Sequence, residues 1–588
     1  MRKELQALRE KMKTHGFDAY LIPTTDFHRS EYVHDHFKFR EYVSGFTGSA
    51  GTLVVTMDEA KLWTDGRYFL QAAAQLEGSG IDLMKMGEPD VPTIVEYLYN
   101  VLNGGSVASD GSAAPVLAFD GRVCSPADIP EGKFNISVNH DLADEIWPDR
   151  PAIVPSEIYA LDESVTGEAS ASKLARVRAV MAEKGADYHM ITALDEIAWL
   201  YNLRGRDVKH TPVFFAYALV TLEEDRLYLM GKPPVGFCDD TGSGKHICKS
   251  TCVRPYEVFL DDLTQLPAGK MLLDRDVTSY AILDAIPRHM EIISDEDPVS
   301  AMKAIKNPIE IESTKKAHIK DGAAMVNFLS WLKNNMEQIT EISAADKLED
   351  FRRRQEGCYD LSFDTISGYG SNGAIIHYSA TEETNKELKP EGLYLVDSGG
   401  QYDDGTTDIT RTIALGPLTD EMKVHYTAVL RSHIALAMAR FKHGTTGAEL
   451  DAVARKPLQD ISLNYNHGTG HGVGHLLGCH EGPQSISPRD KTHAILPGMI
   501  NSNEPGVYIE GSHGIRLENE MVCVKRGQLY GFETITFCPF ERDAILPEHL
   551  TDSELTWLND YHEQVWQKIS PLVDDDTKTW LHEMTKPL

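Results

Sequence analysis

Two pairs of carboxylates and a histidine-rich loop carry the chemistry of this sequence. Leu393-Tyr394-Leu395-Val396 reads as a strand that delivers Asp397 to its end, and Gln401-Tyr402-Asp403-Asp404-Gly405 is turn chemistry. Thr406 to Ile413 then alternates, with Asp408, Thr410 and Thr412 on one face and Ile409, Arg411 and Ile413 on the other. A turn centred on Tyr402-Asp403 sets Asp397 directly opposite Asp408, with Cβ atoms about 5 Å apart. Two ionised carboxylates that close repel, so a shared proton or cations must neutralise them. Taken alone, such aspartates are more simply solvated turn residues. A second pair changes the balance, because Glu504 and Glu518 flank a turn centred on Gly511 in the same way.

Between the two pairs runs His467-Gly468-Thr469-Gly470-His471-Gly472-Val473-Gly474-His475. Histidines every fourth residue suit helical metal ligands, but the interleaved glycines argue against a helix and the Glu of H-E-x-x-H is missing. No Lys-Ser/Thr ending makes it a phosphate loop. A glycine-rich bend that presents one or two imidazoles fits better. Four carboxylates on two hairpins, with this loop between them, form a candidate binuclear metal cage.

The elements that position these residues belong to the last of several units. A length of 588 residues predicts two to four domains, and 42% hydrophobic residues suffice for a core in each. Leu5, Leu8 and Met12 form a helical stripe that stops at Gly16 before the strand Asp18 to Ile22. The pattern returns 169 residues on, as Leu174, Val177 and Met181, Gly185, and Asp187 to Ile191, with Asp26 matched by Asp195. Two similar α/β domains are therefore expected at 1–155 and 156–305, joined near Pro148, Pro151 and Pro155. Asn307, Pro308 and Glu310 form a capping box for a helix whose apolar face is Met325, Phe328, Leu329 and Leu332. That helix opens a third unit at 306–540. Thr551 and Glu554 cap another helix, bearing Leu555, Leu558, Val565, Trp566 and Ile569, in a helical extension at 541–588.

Composition narrows the partners. Lys plus Arg make 57 and Asp plus Glu 89, a formal net charge of −32, so neither nucleic acid nor an anionic membrane surface is expected. Eight cysteines are too sparse for a disulfide framework, and Cys248 and Cys252 lack C-x-x-C spacing. Met1 to Gln6 is not followed by an apolar stretch, and Val213 to Leu222 is about half a membrane span. A soluble cytoplasmic protein is expected.

Asp397, Asp408, His471, Glu504 and Glu518, in that order and spacing, resemble the five metal ligands of the pita-bread metallopeptidases, family M24. This family includes methionine aminopeptidase, prolidase, aminopeptidase P and the metal-free creatinase. Ile375-Ile376-His377-Tyr378, Asp397-Ser398-Gly399, Asp404 to Asp408, His467 to Gly474, Glu504-Pro505-Gly506 and Gly514 to Asn519 resemble the aminopeptidase P branch. So do Ser44 to Gly51, Trp63 to Phe69 and Trp557 to His562. Two departures stand out. Asn503 replaces the usual Asp of the long members, and Cys479 precedes His480; neither is expected to touch a ligand.

The resemblance implies an α/β (α+β) architecture: two creatinase-like N-terminal domains, then a pita-bread catalytic domain with its helical extension. It implies release of the N-terminal residue from peptides with proline second, through a hydroxide between two divalent cations. Oxygen-rich donors suit Mn2+ for both. Asp397 and Asp408 would hold one metal, Asp408 and Glu518 would bridge, and His471 and Glu504 would complete the second. Glu504 would also take a proton from water. An Xaa-Pro bond is a tertiary amide without N–H, so its nitrogen needs a proton donor, for which His480 is the candidate. His377 would contact the substrate carbonyl and His467 would line the proline pocket. Arg516 would hold ligand carboxylates, and Thr410 either packs as a β residue or hydrogen-bonds one. A homodimer through the catalytic domain is implied, with the C-terminal apolar helix as a candidate contact. Non-catalytic pita-bread modules lose the ligands, all of which stand here; prolidase, with one N-terminal domain, is the alternative within enzymes.

Overall fold

A computed structural model describes residues 2–103, 114–129, 134–234, 237 and 251–588; Cys248 lies outside them. Its residues form two compact units, Met1–Asp162 with Glu168–Val299, and Glu163–Gly167 with Ser300–Leu588.

The first unit contains the repeat. Helix α1 (Lys3–His15) buries Leu5, Leu8 and Met12 and ends at Gly16 with φ 73°, a left-handed cap that glycine adopts without strain. Helix α2 (Ser170–Lys184) buries Leu174, Val177 and Met181 and ends at Gly185 with φ 67°. The first sheet comprises β1 (Ala19–Ile22), β2 (Thr52–Thr56), β3 (Ala60–Thr64), β4 (Asp82–Lys85), β5 (Val116–Ala118) and β6 (Asn135–Ser137), in the order β4-β3-β2-β1-β5-β6. The second comprises β7 (Tyr188–Ile191), β8 (Ala216–Thr221), β9 (Asp225–Leu229), β10 (Thr251–Pro255), β11 (Lys270–Leu273) and β12 (Glu291–Ser294), in the order β10-β9-β8-β7-β11-β12. Along each sheet in that order the successive pairs run parallel, antiparallel, antiparallel, parallel and parallel. The apolar run near residue 215 is the buried strand β8.

In the second unit α3 (Pro308–Asn334) starts on its capping box: the Asn307 side chain accepts from the amides of Ile309 and Glu310, and Glu310 accepts from Asn307 N–H at 2.9 Å. Its buried face, with Met325, Phe328, Leu329 and Leu332, meets β13 (Leu393–Ser398), β14 (Ile409–Ala414) and α4 (Asp420–Ala437) in one core. Strands β13 and β14 pair antiparallel. The chain continues through β15 (Gly470–Gly472), β16 (Glu481–Ile486), β17 (Ile500–Asn503), β18 (Gly506–Ile509), β19 (His513–Arg516) and β20 (Asn519–Arg526). One sheet holds β20, β17, β15 and β16 in that order, and β18 pairs with β19.

Two expectations are corrected. The first turn spans Asp403-Asp404, since Tyr402 pairs with Gly405 and Gln401 with Thr406. Asp397 therefore faces Thr410, and Asp408 is its diagonal neighbour. The two-residue loop sits one residue later, on the two aspartates just ahead of Gly405, which favour turns more than Tyr402 does. The second correction concerns α5 (Asp552–Ile569). Leu558, Val565 and Ile569 are buried in the core of the second unit, with Trp557 and Trp566 packed against it. The apolar face proposed as a dimer contact is covered within the chain.

Candidate metal centre

The Gly511-centred hairpin stands in the expected register. Asn503 pairs with Asn519 in one ladder and Gly506 with Arg516 in the next. Glu504 and Glu518 occupy the step between these ladders, opposite each other. Glu518 N–H donates to Thr410 O at 3.1 Å, which ties this hairpin to β14. Glu504 N–H donates to Thr469 O at 2.8 Å, which ties it to the histidine loop.

That loop is not helical. His471 lies on β15, squeezed between β17 and β16, where a Cβ on Gly470 would stand 2.1 Å from Ser502 O and one on Gly472 2.2 Å from Glu481 O. Glycine is required there by close approach of neighbouring backbones. His471 Nδ1 donates to Gly472 O at 2.9 Å, which leaves Nε2 facing Asp408 Oδ2 at 3.5 Å and Glu504 Oε1 at 3.6 Å. His475 points elsewhere, to Thr314 Oγ1 and Val165 O, as a structural residue.

Among the described residues, three sets of donor atoms each lie within 4.8 Å of one another: Asp397, Asp408 and Glu518; His471, Glu504 and Glu518; and Asp408, His471 and His480. Asp408, Glu518 and His471 each belong to two sets, so the donors form one cluster large enough for two ions. The electrostatics call for cations. Burial pushes Glu518 well above the usual carboxylate range, and Asp408, Glu504 and Asp397 push it further. Burial also raises Asp397, against the pull of Arg516, and raises Glu504, against His471. Burial works to raise Asp408 as well, but its bond to His471 holds it below the usual range. His471, opposed by burial, is lifted to about 9 by Asp408 and Glu504. Asp397 Oδ1, Asp408 Oδ1 and Glu518 Oε1 are buried without a hydrogen-bond donor. Buried anionic oxygens left unpaired are costly unless metal ions take them up, so the residues fit two divalent cations.

Arg516 and Thr410 hold the other oxygens. Arg516 Nη2 donates to Asp397 Oδ2 at 2.7 Å and to Ile376 O at 3.3 Å, and Nη1 to Tyr508 OH at 2.7 Å. Thr410 Oγ1 donates to Glu518 Oε2 at 2.7 Å. The remaining histidines split. His480 packs edge-on against His471, with ring centroids 4.3 Å apart. His467 Nε2 meets Tyr508 OH at 2.9 Å, and its Nδ1 is 3.9 Å from Glu504 Oε2. His377 stands half-buried between Ile376, held by Arg516, and Tyr378, whose hydroxyl donates to Glu341. Neither His377 nor His467 joins the converging donors.

Sequence reasoning missed several neighbours. Cys479, expected not to touch a ligand, donates its Sγ–H to Asp408 Oδ2 at 3.2 Å. It follows a bend at residues 475–477 in which Leu476 has φ 54°, and nothing local signals that. Glu520 pairs with His318 at 3.0 Å, both almost fully buried; its spacing of two from Glu518 on a strand was the available signal. Tyr508 links Arg516 to His467 and carried no signal beyond its place in the hairpin.

The architecture and donor set define a metallopeptidase, and the chain belongs to metallopeptidase family M24. Residues 312–525 match that family, 528–588 its C-terminal region, and 4–123 and 149–310 two creatinase/prolidase N-terminal domains. Within the family the chain is similar to a probable Xaa-Pro aminopeptidase P of Laccaria bicolor, at 41% identity over 100% of this chain and 93% of the relative. It is equally similar to aminopeptidase P2 of Arabidopsis thaliana, at 41% over 97% of this chain and 86% of that one. Among solved structures it resembles an X-prolyl aminopeptidase from Caenorhabditis elegans, described as a cytosolic enzyme with a di-nuclear active site. The identity is 31% with a TM-score of 0.89, covering 100% of this chain and 99% of the other.

Proposed function

We propose that the protein is a metal-dependent Xaa-Pro aminopeptidase that removes the first residue from peptides with proline second. The observation that carries this reading is the convergence of Asp397, Asp408, His471, Glu504 and Glu518, three of which each leave one buried carboxylate oxygen without a donor. Full-length similarity to proteins named for that activity supports it. Asp397 and Asp408 would hold one cation, His471 and Glu504 the other, with Asp408 and Glu518 shared. When bound, the cations supply Lewis acidity toward the scissile carbonyl and make water acidic enough to react near neutral pH. Mn2+ is the ion we assign, since oxygen donors outnumber nitrogen.

The chain's own groups do the rest. Glu504 accepts the proton released as water attacks, and Arg516 and Thr410 keep Asp397 and Glu518 aimed inward. His377 contacts the substrate carbonyl. His480 donates to the prolyl nitrogen as the C–N bond breaks, because a tertiary amide leaves as an amine only when protonated. His467, fixed by Tyr508, lines the space for the ring. Residues 306–540 would carry the reaction, 541–588 would brace it, and 1–155 and 156–305 would form the two N-terminal domains. The family resemblance supports a cytoplasmic homodimer.

The test reloads metal-stripped protein with Mn2+ and offers Arg-Pro-Pro, Gly-Pro and Met-Ala-Ser. Release of arginine from the first is expected. Cleavage confined to Gly-Pro identifies a prolidase, and cleavage of Met-Ala-Ser alone a methionine aminopeptidase.

A further inference from the structure

A charged cluster lies next to the donors without touching them. Glu481 is the first residue of β16 and follows His480 directly. Lys303 Nζ lies 2.8 Å from its Oε2 and Lys306 Nζ 2.7 Å from its Oε1, and each of the three side chains is at most 2% exposed. The lysines come from the short helix Pro298–Ala304 and the segment after it. That segment is pinned in turn, since Lys306 N–H donates to Gly498 O at 3.0 Å and Ile305 bridges to Met499. The Glu481 backbone pairs with Gly472, the residue after His471. Both ends of the carboxylate and its peptide are therefore fixed, one residue from His480 in sequence and one rung from His471 across the ladder.

Stability alone does not account for such a cluster. Taking three charges out of water is costly, and apolar side chains of similar volume commonly do as well or better. What the arrangement provides is a carboxylate that cannot rotate, anchored by two separate points.

We propose that Glu481, gripped at both oxygens by Lys303 and Lys306, is the positioning residue that holds His480 toward the prolyl nitrogen. This rests on the assignment of His480 as leaving-group donor. Glu481 itself touches no reacting atom; it fixes the peptide from which His480 projects. A misplacement of about 1 Å is enough to cost on the order of a hundredfold in rate.

The experiment is a double-mutant cycle on the full-length, Mn-loaded protein with Arg-Pro-Pro, with metal content and thermal midpoint measured alongside. Glu481→Gln should lower kcat roughly tenfold or more with two metals per chain retained and KM nearly unchanged. In a His480→Ala background the same change should have almost no further effect, which a general loss of packing would not reproduce. Lys306→Arg should restore most of the rate lost in Lys306→Met. Should Glu481→Gln not fold, Lys303→Met leaves a one-to-one pair and should give the same non-additive pattern, smaller in size. Multiplicative losses, an unchanged kcat in Glu481→Gln, or loss of metal overturn the positioning role. An unchanged kcat in His480→Ala overturns the donor assignment itself, with Glu481 then having nothing to position.

Discussion

Asp408 and Glu518 are the carboxylates on which the donor sets overlap, and each leaves one oxygen without a protein donor. Asp408→Ala or Glu518→Ala should abolish turnover and drop metal content well below two per chain by elemental analysis. Retained activity with two metals removes them from the centre. Thr410 acts one step away, through its 2.7 Å bond to Glu518. Thr410→Val keeps the β-branched shape, so metal affinity should weaken by about 10- to 100-fold in chelator competition while the fold stands. The carboxylates that converge were legible in the sequence, because Asp397, Asp408, Glu504 and Glu518 recur at hairpin spacing. The residues that brace them were not, except Arg516 and Thr410. Cys479 reaches Asp408, and Lys303, Lys306 and His318 reach Glu481 and Glu520 beside the centre, through tertiary contacts whose sequence separations no local pattern encodes.

At the scale of elements, faces proved more readable than rungs. Placing the first turn one residue early set Asp397 opposite Asp408 instead of Thr410 without turning either side chain over, because such a shift slides the partner by two residues and side chains alternate with that period. Around Gly511 a single glycine with φ 73° marks the bend, and there the rung was legible too. The central strand β15 depends on what it lacks. Gly470→Ala places a methyl carbon 2.1 Å from Ser502 O, a backbone atom that cannot step aside. We expect a loss of about 3 kcal/mol, read as a lower thermal midpoint, together with weaker metal binding as His471 is displaced.

For the molecule as a whole, two deeply buried imidazoles contribute to the response to acid. Burial, aided by nearby Arg411, pushes His433 down to about 3, and burial with Arg542 and Arg411 does the same for His562. An unfolded histidine titrates near 6.5, so as pH falls the unfolded chain takes up these protons first. Their contribution is intact above about pH 6.5 and is lost progressively toward pH 3, by about 1.4 kcal/mol per pH unit for each. Denaturation midpoints should fall between pH 6.5 and 5, and His562→Gln should flatten that slope. An unchanged slope assigns the acid response to other groups. The catalytic unit is also discontinuous in the chain, since it includes Glu163–Gly167. Within it Val165 O receives His475 and Thr166 O receives the Asn307 side chain at 2.8 Å, beneath the histidine loop and the cap of α3. The two halves of this sequence are thus not interchangeable cassettes. A chimera crossed over at Ser300 would seat one parent's catalytic unit on the other parent's five-residue insert, and recombination between relatives should succeed only where that insert travels with the residues it supports.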